Sequence, residues 1–168
     1  MSKYFGKYRG MVLDNIDPLQ LGRLMVQVPD VSNVLPSTWA MPCLPFAGIQ
    51  SGFYTVPDIG SGVWIEFEQG NIDYPIWVGC YWGTAADLPA LALAAPPGVQ
   101  QVVVQTSEQN MLMVSDVPGP TGGILLKTAS GAFISISDAG ITLDNGQGAT
   151  VVMAGPAVTV NDGAMEVI

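Results

Sequence analysis

Apolar residues recur at every second position along most of this chain, in short runs rich in Val, Ile, Tyr, Phe and Trp that Gly, Pro, Asn and Asp interrupt. A period of two predicts strands, because successive side chains of an extended backbone point to opposite faces. Almost nothing carries the spacing of an amphipathic helix, so the expectation is an all-β protein. In the first half the pattern places strands at residues 4–13, 21–28, 39–44, 63–67 and 76–81, separated by turn-rich segments such as NIDPLQLG and PDIGSG.

Five strands within about 80 residues suit a small closed barrel of the OB type. Trp64, Trp77 and Trp82 fall in or beside its last two strands, where large aromatic rings are expected to fill the barrel or its rim. Residues 84–98, TAADLPALALAAPPG, then change to alanine and leucine broken by prolines, which reads as a linker with one helical turn. The expected organisation is an OB domain at 1–83, a linker at 84–98 and a repetitive region at 99–168.

That region repeats. Residues 104–116 (VQTSEQNMLMVSD) align on 126–138 (LKTASGAFISISD) at an offset of 22, matching Thr106 with Thr128, Val114 with Ile136, Ser115 with Ser137 and Asp116 with Asp138. Each copy reads as two strands and a turn. The unit then shortens: Gly131, Gly140, Gly148, Gly155 and Gly163 are spaced by 9, 8, 7 and 8 residues, each leading into a short alternating strand, the mark of a solenoid or β-helix. The apolar positions of these strands are Ile134 and Ile136, Ile141 and Leu143, Val151 and Met153, Val158 and Val160, Met165 and Val167. Ser135, Thr142, Thr159 and Glu166 are expected on the outside. One such ribbon is too thin to bury its apolar face and leaves edges unpaired. Three copies around an axis would turn those faces inward and pair edges between chains, whereas two would leave an open sandwich. The ten apolar residues are thus the expected core of a homotrimeric needle, and a lone-chain solenoid, with coils of about eight residues, encloses almost no interior.

Composition narrows the chemistry. Only 11% of the 168 residues are charged, so part of the surface is expected to lie against a partner. The net charge is -9, and beyond residue 23 a single cation, Lys127, faces twelve acids, a surface that repels a phosphate backbone. There is no histidine, and Cys43 and Cys80 are too few for a thiolate zinc site; two buried thiols are expected. MSKYFGKYRG lacks the apolar stretch of a secretory signal and no run approaches the length of a membrane span, so neither is expected. Glu66 and Glu68 alternate on a strand and so share a side, the minimum for a two-carboxylate mechanism, but no acid-rich cleft accompanies them. Ser107, Ser130 and Ser137 lack an activating histidine. No catalytic, cofactor or metal residues are expected. Tyr54, Trp64, Tyr74, Trp77 and Trp82 could serve as stacking platforms, yet the only basic cluster is Lys3, Lys7 and Arg9. The alternative reading is an OB binding module on a trimeric β stalk, taking a glycan or single-stranded nucleic acid through Trp77 and its neighbours. A hydrolase using Glu66 and Glu68 stands third.

The stretch PDIGSGVWIEFEQGNIDYPIWVGCYWG (residues 57–83), preceded by YRGMVLDN and GRLMVQVP, resembles the OB domain of the contractile-tail central spike family. That family comprises phage baseplate assembly protein V, the type VI secretion valine-glycine repeat proteins and the spikes of extracellular contractile injection systems. The repeats ending in Asp116 and Asp138, and the terminus GPAVTVNDGAMEVI, resemble its tapering triple-stranded intertwined β-helix. The resemblance implies a homotrimer whose barrels form a collar on the hub and whose needle is driven through the target membrane when the sheath contracts. It implies baseplate hub and tube proteins as partners on the N-terminal side. It also implies a PAAR-type tip protein at the C-terminal end, docked on Glu166, Val167 and Ile168, and no nucleic acid. The role is mechanical and not enzymatic: no lysozyme-like domain is inserted between barrel and needle. Such a chain is expected to be made in a bacterial cytoplasm without a signal peptide and assembled into the baseplate of a phage tail or injection particle.

Overall fold

The structure, a computed structural model, describes residues 2–167, without the side chains of Glu166 and Val167. The chain divides into two compact units, one up to Asp87 and one from Leu88 onward.

The first unit contains β1 (Tyr8–Asp14), β2 (Met25–Gln27), α1 (Pro29–Ser32), β3 (Met41–Pro42), β4 (Ala47–Gly48), β5 (Ser51–Gly52), β6 (Gly62–Phe67) and β7 (Pro75–Tyr81). Five strands form one sheet in the order β2-β1-β6-β7-β3, with β3 parallel to β7 and the remaining pairs antiparallel. Leu24 and Ala40 exchange both backbone hydrogen bonds, at 3.1 and 2.7 Å, and so tie the approach to β2 to the approach to β3. The sheet thereby closes on itself, which is the five-stranded Greek-key barrel of the OB fold. Alternation sets the inside: along β6, Val63, Ile65 and Phe67 are buried while Gly62, Trp64 and Glu66 are not. With Val12, Leu24, Val26, Val28, Ala40 and Trp77 they make one core, and Tyr4 and Tyr8 pack against it beside the Phe67 ring.

The structure departs from the sequence expectation at three places in this unit, the first with a clear local cause. Residues 21–24 lie in the β1–β2 loop instead of a strand because Asp17 gathers that loop around its carboxylate. It accepts hydrogen bonds from the amides of Leu19, Leu21 and Arg23 at 2.9, 2.8 and 3.2 Å, and from the Arg23 guanidinium at 3.0 and 2.6 Å. The β4–β5 hairpin was not expected; its turn leaves Ile49 fully in solvent. Cys43 and Cys80 are both free, but at the surface and not buried.

Residues 84–98 hold a 3₁₀ turn (Ala85–Asp87) and α2 (Ala90–Ala94). The second unit continues with β8 (Gln101–Gln105), β9 (Met111–Ser115), β10 (Gly123–Lys127), β11 (Phe133–Ser137), β12 (Gly140–Asp144), β13 (Thr150–Ala154), β14 (Ala157–Val160) and β15 (Met165–Val167). Each strand pairs antiparallel with the next, giving an eight-stranded ribbon in chain order. The ladder is continuous within one chain, so the ribbon's flanks are hairpin turns, and its open edges are confined to β8 and β15. The strands shorten from five residues in β8–β13 to four in β14 and three in β15. Glycine is required where turns meet backbone: a Cβ on Gly123 would lie 2.0 Å from the Ile136 carbonyl oxygen, and one on Gly140 2.0 Å from that of Met153.

Candidate functional site

Register decides which side chains share a face, because directly opposed residues of an antiparallel pair project the same way. Ile134 is opposite Leu143 and Ile136 opposite Ile141; Leu143 is opposite Val151 and Ile141 opposite Met153. Val151 in turn meets Val160, and Met153 meets Val158; Val160 then meets Met165, and Val158 meets Val167. All ten positions expected in the needle core therefore fall on a single face of the ribbon. Ser135, Thr142 and Thr159 fall on the other, as does the backbone position of Glu166.

The same face continues upward through six residues that the sequence pattern did not nominate. Ile124 and Leu126 oppose Ile136 and Ile134; Val114 and Leu112 oppose Ile124 and Leu126; Val102 and Val104 close the series on β8. Every strand thus places two apolar residues at positions on this face, and no polar residue falls at any of them. None of the described ones is buried within the chain: eleven are exposed, from 39% at Leu143 to 61% at Val102, and Ile141, Val151, Val158 and Val160 are half-buried. A contiguous aliphatic face of this extent on a ribbon is an assembly surface, since isolated soluble chains rarely present one.

The opposite face is treated differently. Gln101, Val103 and Gln105 are half-buried, and the Gln101 side-chain amide donates to the Ala92 carbonyl at 2.6 Å, so α2 packs over this side of β8. Met113 and Ser115, also on this side, are buried.

The barrel's candidate residues do not converge on a ligand site. Trp77, the proposed centre of a binding platform, is only 4% exposed, and its indole N–H donates to the Gly22 carbonyl at 3.0 Å. It is a core residue with its polar atom satisfied, which removes it from any recognition surface. Trp64 points outward, its ring 5.0 Å from that of Tyr81, with the Arg9 guanidinium 5.5 and 5.2 Å from the two centroids. Trp82 and Tyr54 are exposed elsewhere on the barrel. Glu66 is ion-paired with Lys7, whereas Glu68 lies beyond the end of β6 and opens a 3₁₀ turn. The two carboxylates therefore do not share a strand face, because the chain turns away after Phe67. Arg23 is committed to Asp17, whose carboxyl that guanidinium and the three loop amides hold well below the usual range. Ile168 and the side chains of Glu166 and Val167, expected to dock a tip protein, lie outside the described residues.

A closed OB barrel followed by a β ribbon with an uncovered apolar face is the architecture of a chain that assembles with copies of itself. Residues 8–82 match the type VI secretion system/phage-baseplate injector OB domain, and residues 101–166 match the phage baseplate V C-terminal trimerisation domain. The chain belongs to this phage-baseplate and type VI secretion spike family, with a structural role in the baseplate and a trimerisation domain that makes the homotrimer its assembly. No curated protein matches the chain.

Proposed function

We propose that this protein is the central spike of a contractile injection machine. Three copies associate through the aliphatic face of residues 99–168 into a needle at the tip of the inner tube, and sheath contraction drives that needle through the target envelope. The observation that carries this reading is the unbroken aliphatic face, two residues per strand over eight strands, on a chain whose second half matches a trimerisation domain. Residues 1–83 form the part that meets hub and tube proteins, 84–98 the connection and 99–168 the needle. The tapered end, with Glu166, Val167 and Ile168, receives a conical tip protein. The spike is made in a bacterial cytoplasm and built into the baseplate of a phage tail or related particle. Nothing in this role calls for catalysis: a piercing element needs rigidity, which close packing of three apolar faces supplies. Nucleic acid is a poor partner, because two of the five cations, Lys7 and Arg23, already hold carboxylates and the chain carries -9 overall.

Light scattering on the purified chain, beside a copy truncated after Gly98, tests the assembly. The full chain should have the mass of a trimer and the truncated one that of a monomer; a monomeric full chain overturns the proposal. Piercing is tested with particles contracting on dye-filled vesicles. Release should require a spike with an intact needle, and equal release by particles whose spike lacks residues 99–168 would sink that part of the reading.

A further inference from the structure

The backbone ladder joins strand to strand but ends where each hairpin turns. A ribbon loaded along its length would therefore be weakest at its flanks, where only turns connect one hairpin to the next. Along the flank that carries turns 106–110, 128–132, 145–149 and 161–164, each turn touches the next turn or the strand end beside it. The Ala129 amide donates to Asn110 Oδ1 at 3.1 Å. Gly146 packs so closely on the preceding turn that a Cβ there would lie 2.8 Å from the Ala132 nitrogen. The Thr150 amide donates to Asn161 Oδ1 at 3.0 Å, and the Asn161 amide returns a bond to the Thr150 carbonyl at 2.9 Å. On the other flank the Gly119 amide donates to Asp138 Oδ2 at 2.9 Å.

The geometry points to Asn110, Asp138 and Asn161 as braces of the needle: side-chain oxygens that carry the hydrogen-bond ladder around the turns and tie successive hairpins together along both flanks. Asn110 and Asn161 each stand one residue beyond the last paired position of a ladder, Met111 with Lys127 and Val160 with Val151. Asp138 stands two residues beyond the pair Ile136 with Ile124. In each case the acceptor meets an amide of the facing segment where regular pairing stops. Amides left without an acceptor at these points would open first when adjacent hairpins splay. The assignment deepens the needle reading and rests on it for its purpose, since a brace matters in an element that bears load.

The test uses the full-length chain and follows amide hydrogen exchange residue by residue. Asn110→Ala should speed exchange at Ala129, Asp138→Ala at Gly119 and Asn161→Ala at Thr150, each by roughly three- to tenfold, the worth of one net hydrogen bond. Amides in mid-strand, such as those of Ile134 and Leu143, should keep their rates. Asn110→Asp and Asp138→Asn preserve an acceptor oxygen and should restore slow exchange. In single-molecule pulling, the triple alanine variant should peel its hairpins at lower force than the parent. Unchanged exchange at the three amides, or a uniform rise throughout the ribbon, overturns the assignment. If the triple variant fails to assemble, the single variants decide. Native mass is measured on the same samples, so a chain that is not a trimer refutes the needle reading separately, while the exchange data still report on the braces.

Discussion

Barrel and ribbon spend their apolar residues in opposite ways. Of the ten hydrophobic residues buried among those described, nine belong to the barrel and only Met113 to the ribbon. Leu24 and Ile65 are completely enclosed within one chain, while Ile134, Ile136 and Leu143, of similar size and in equally regular strands, stay some 40% exposed. Strands form in both units; only the barrel also closes a core within one chain. The lesson is that a hydrogen-bond ladder and a hydrophobic core can be finished at different levels of assembly: the barrel builds both within one chain, whereas the ribbon completes its ladder alone and leaves its core to other copies.

The sharpest way to break this contrast is to place a charge on the ribbon face. Ile136→Asp should abolish the trimer outright, seen as monomeric or aggregated mass by light scattering, while near-ultraviolet circular dichroism of the barrel tryptophans stays unchanged; a surviving trimer would mean that the face is not the interface. The converse experiment hollows the barrel. Ile65→Ala should cost about 2–5 kcal/mol in denaturant unfolding of the barrel and leave the trimer mass intact. A smaller effect is expected at the β1–β2 loop, where Asp17→Asn should lower the barrel's melting temperature at neutral pH. Asp17 titrates lower when folded than the ordinary carboxylate value of 3.8, so its contribution is fully present above that value and lost as pH falls below it. Melting curves of parent and variant should therefore converge in strong acid and differ at neutral pH; a constant difference at every pH would refute the charge-based account. Smallest of all, Arg9→Ala should cost roughly 0.5–1 kcal/mol, the worth of an exposed cation–π contact, with no change in assembly.

Legibility in the sequence followed the same division. The strands of the lower ribbon were readable because Ser135, Thr142 and Thr159 alternate with aliphatic residues, which separates the faces on inspection. The upper ribbon was not resolved in this way, because Val103, Met111, Met113 and Leu125 occupy the second face there and blur the alternation. Only register shows that Val102, Val104, Leu112, Val114, Ile124 and Leu126 extend the face. In the barrel the core-facing residues of β6 were readable, but the length of the β1–β2 loop depended on one carboxylate collecting three amides, a tertiary detail with no period. The outward turn of Glu68 was hidden for a similar reason: the chain leaves the strand through Gln69, whose positive φ of 51° no alternation pattern announces. The flank contacts of Asn110 and Asp138 lie still further from view, since they depend on which turn ends up beside which.

The hairpin order of the ribbon also makes it a ruler. Each strand advances the ribbon by one inter-strand spacing, about 4.8 Å, so the eight strands span on the order of 34 Å. Turns alternate between flanks, and only the addition or loss of two strands returns the chain to the side it left. Reach should therefore change across relatives in steps of one hairpin, roughly 10 Å, by duplication or deletion of a unit like the 22-residue repeat, and intermediate lengths should be rare.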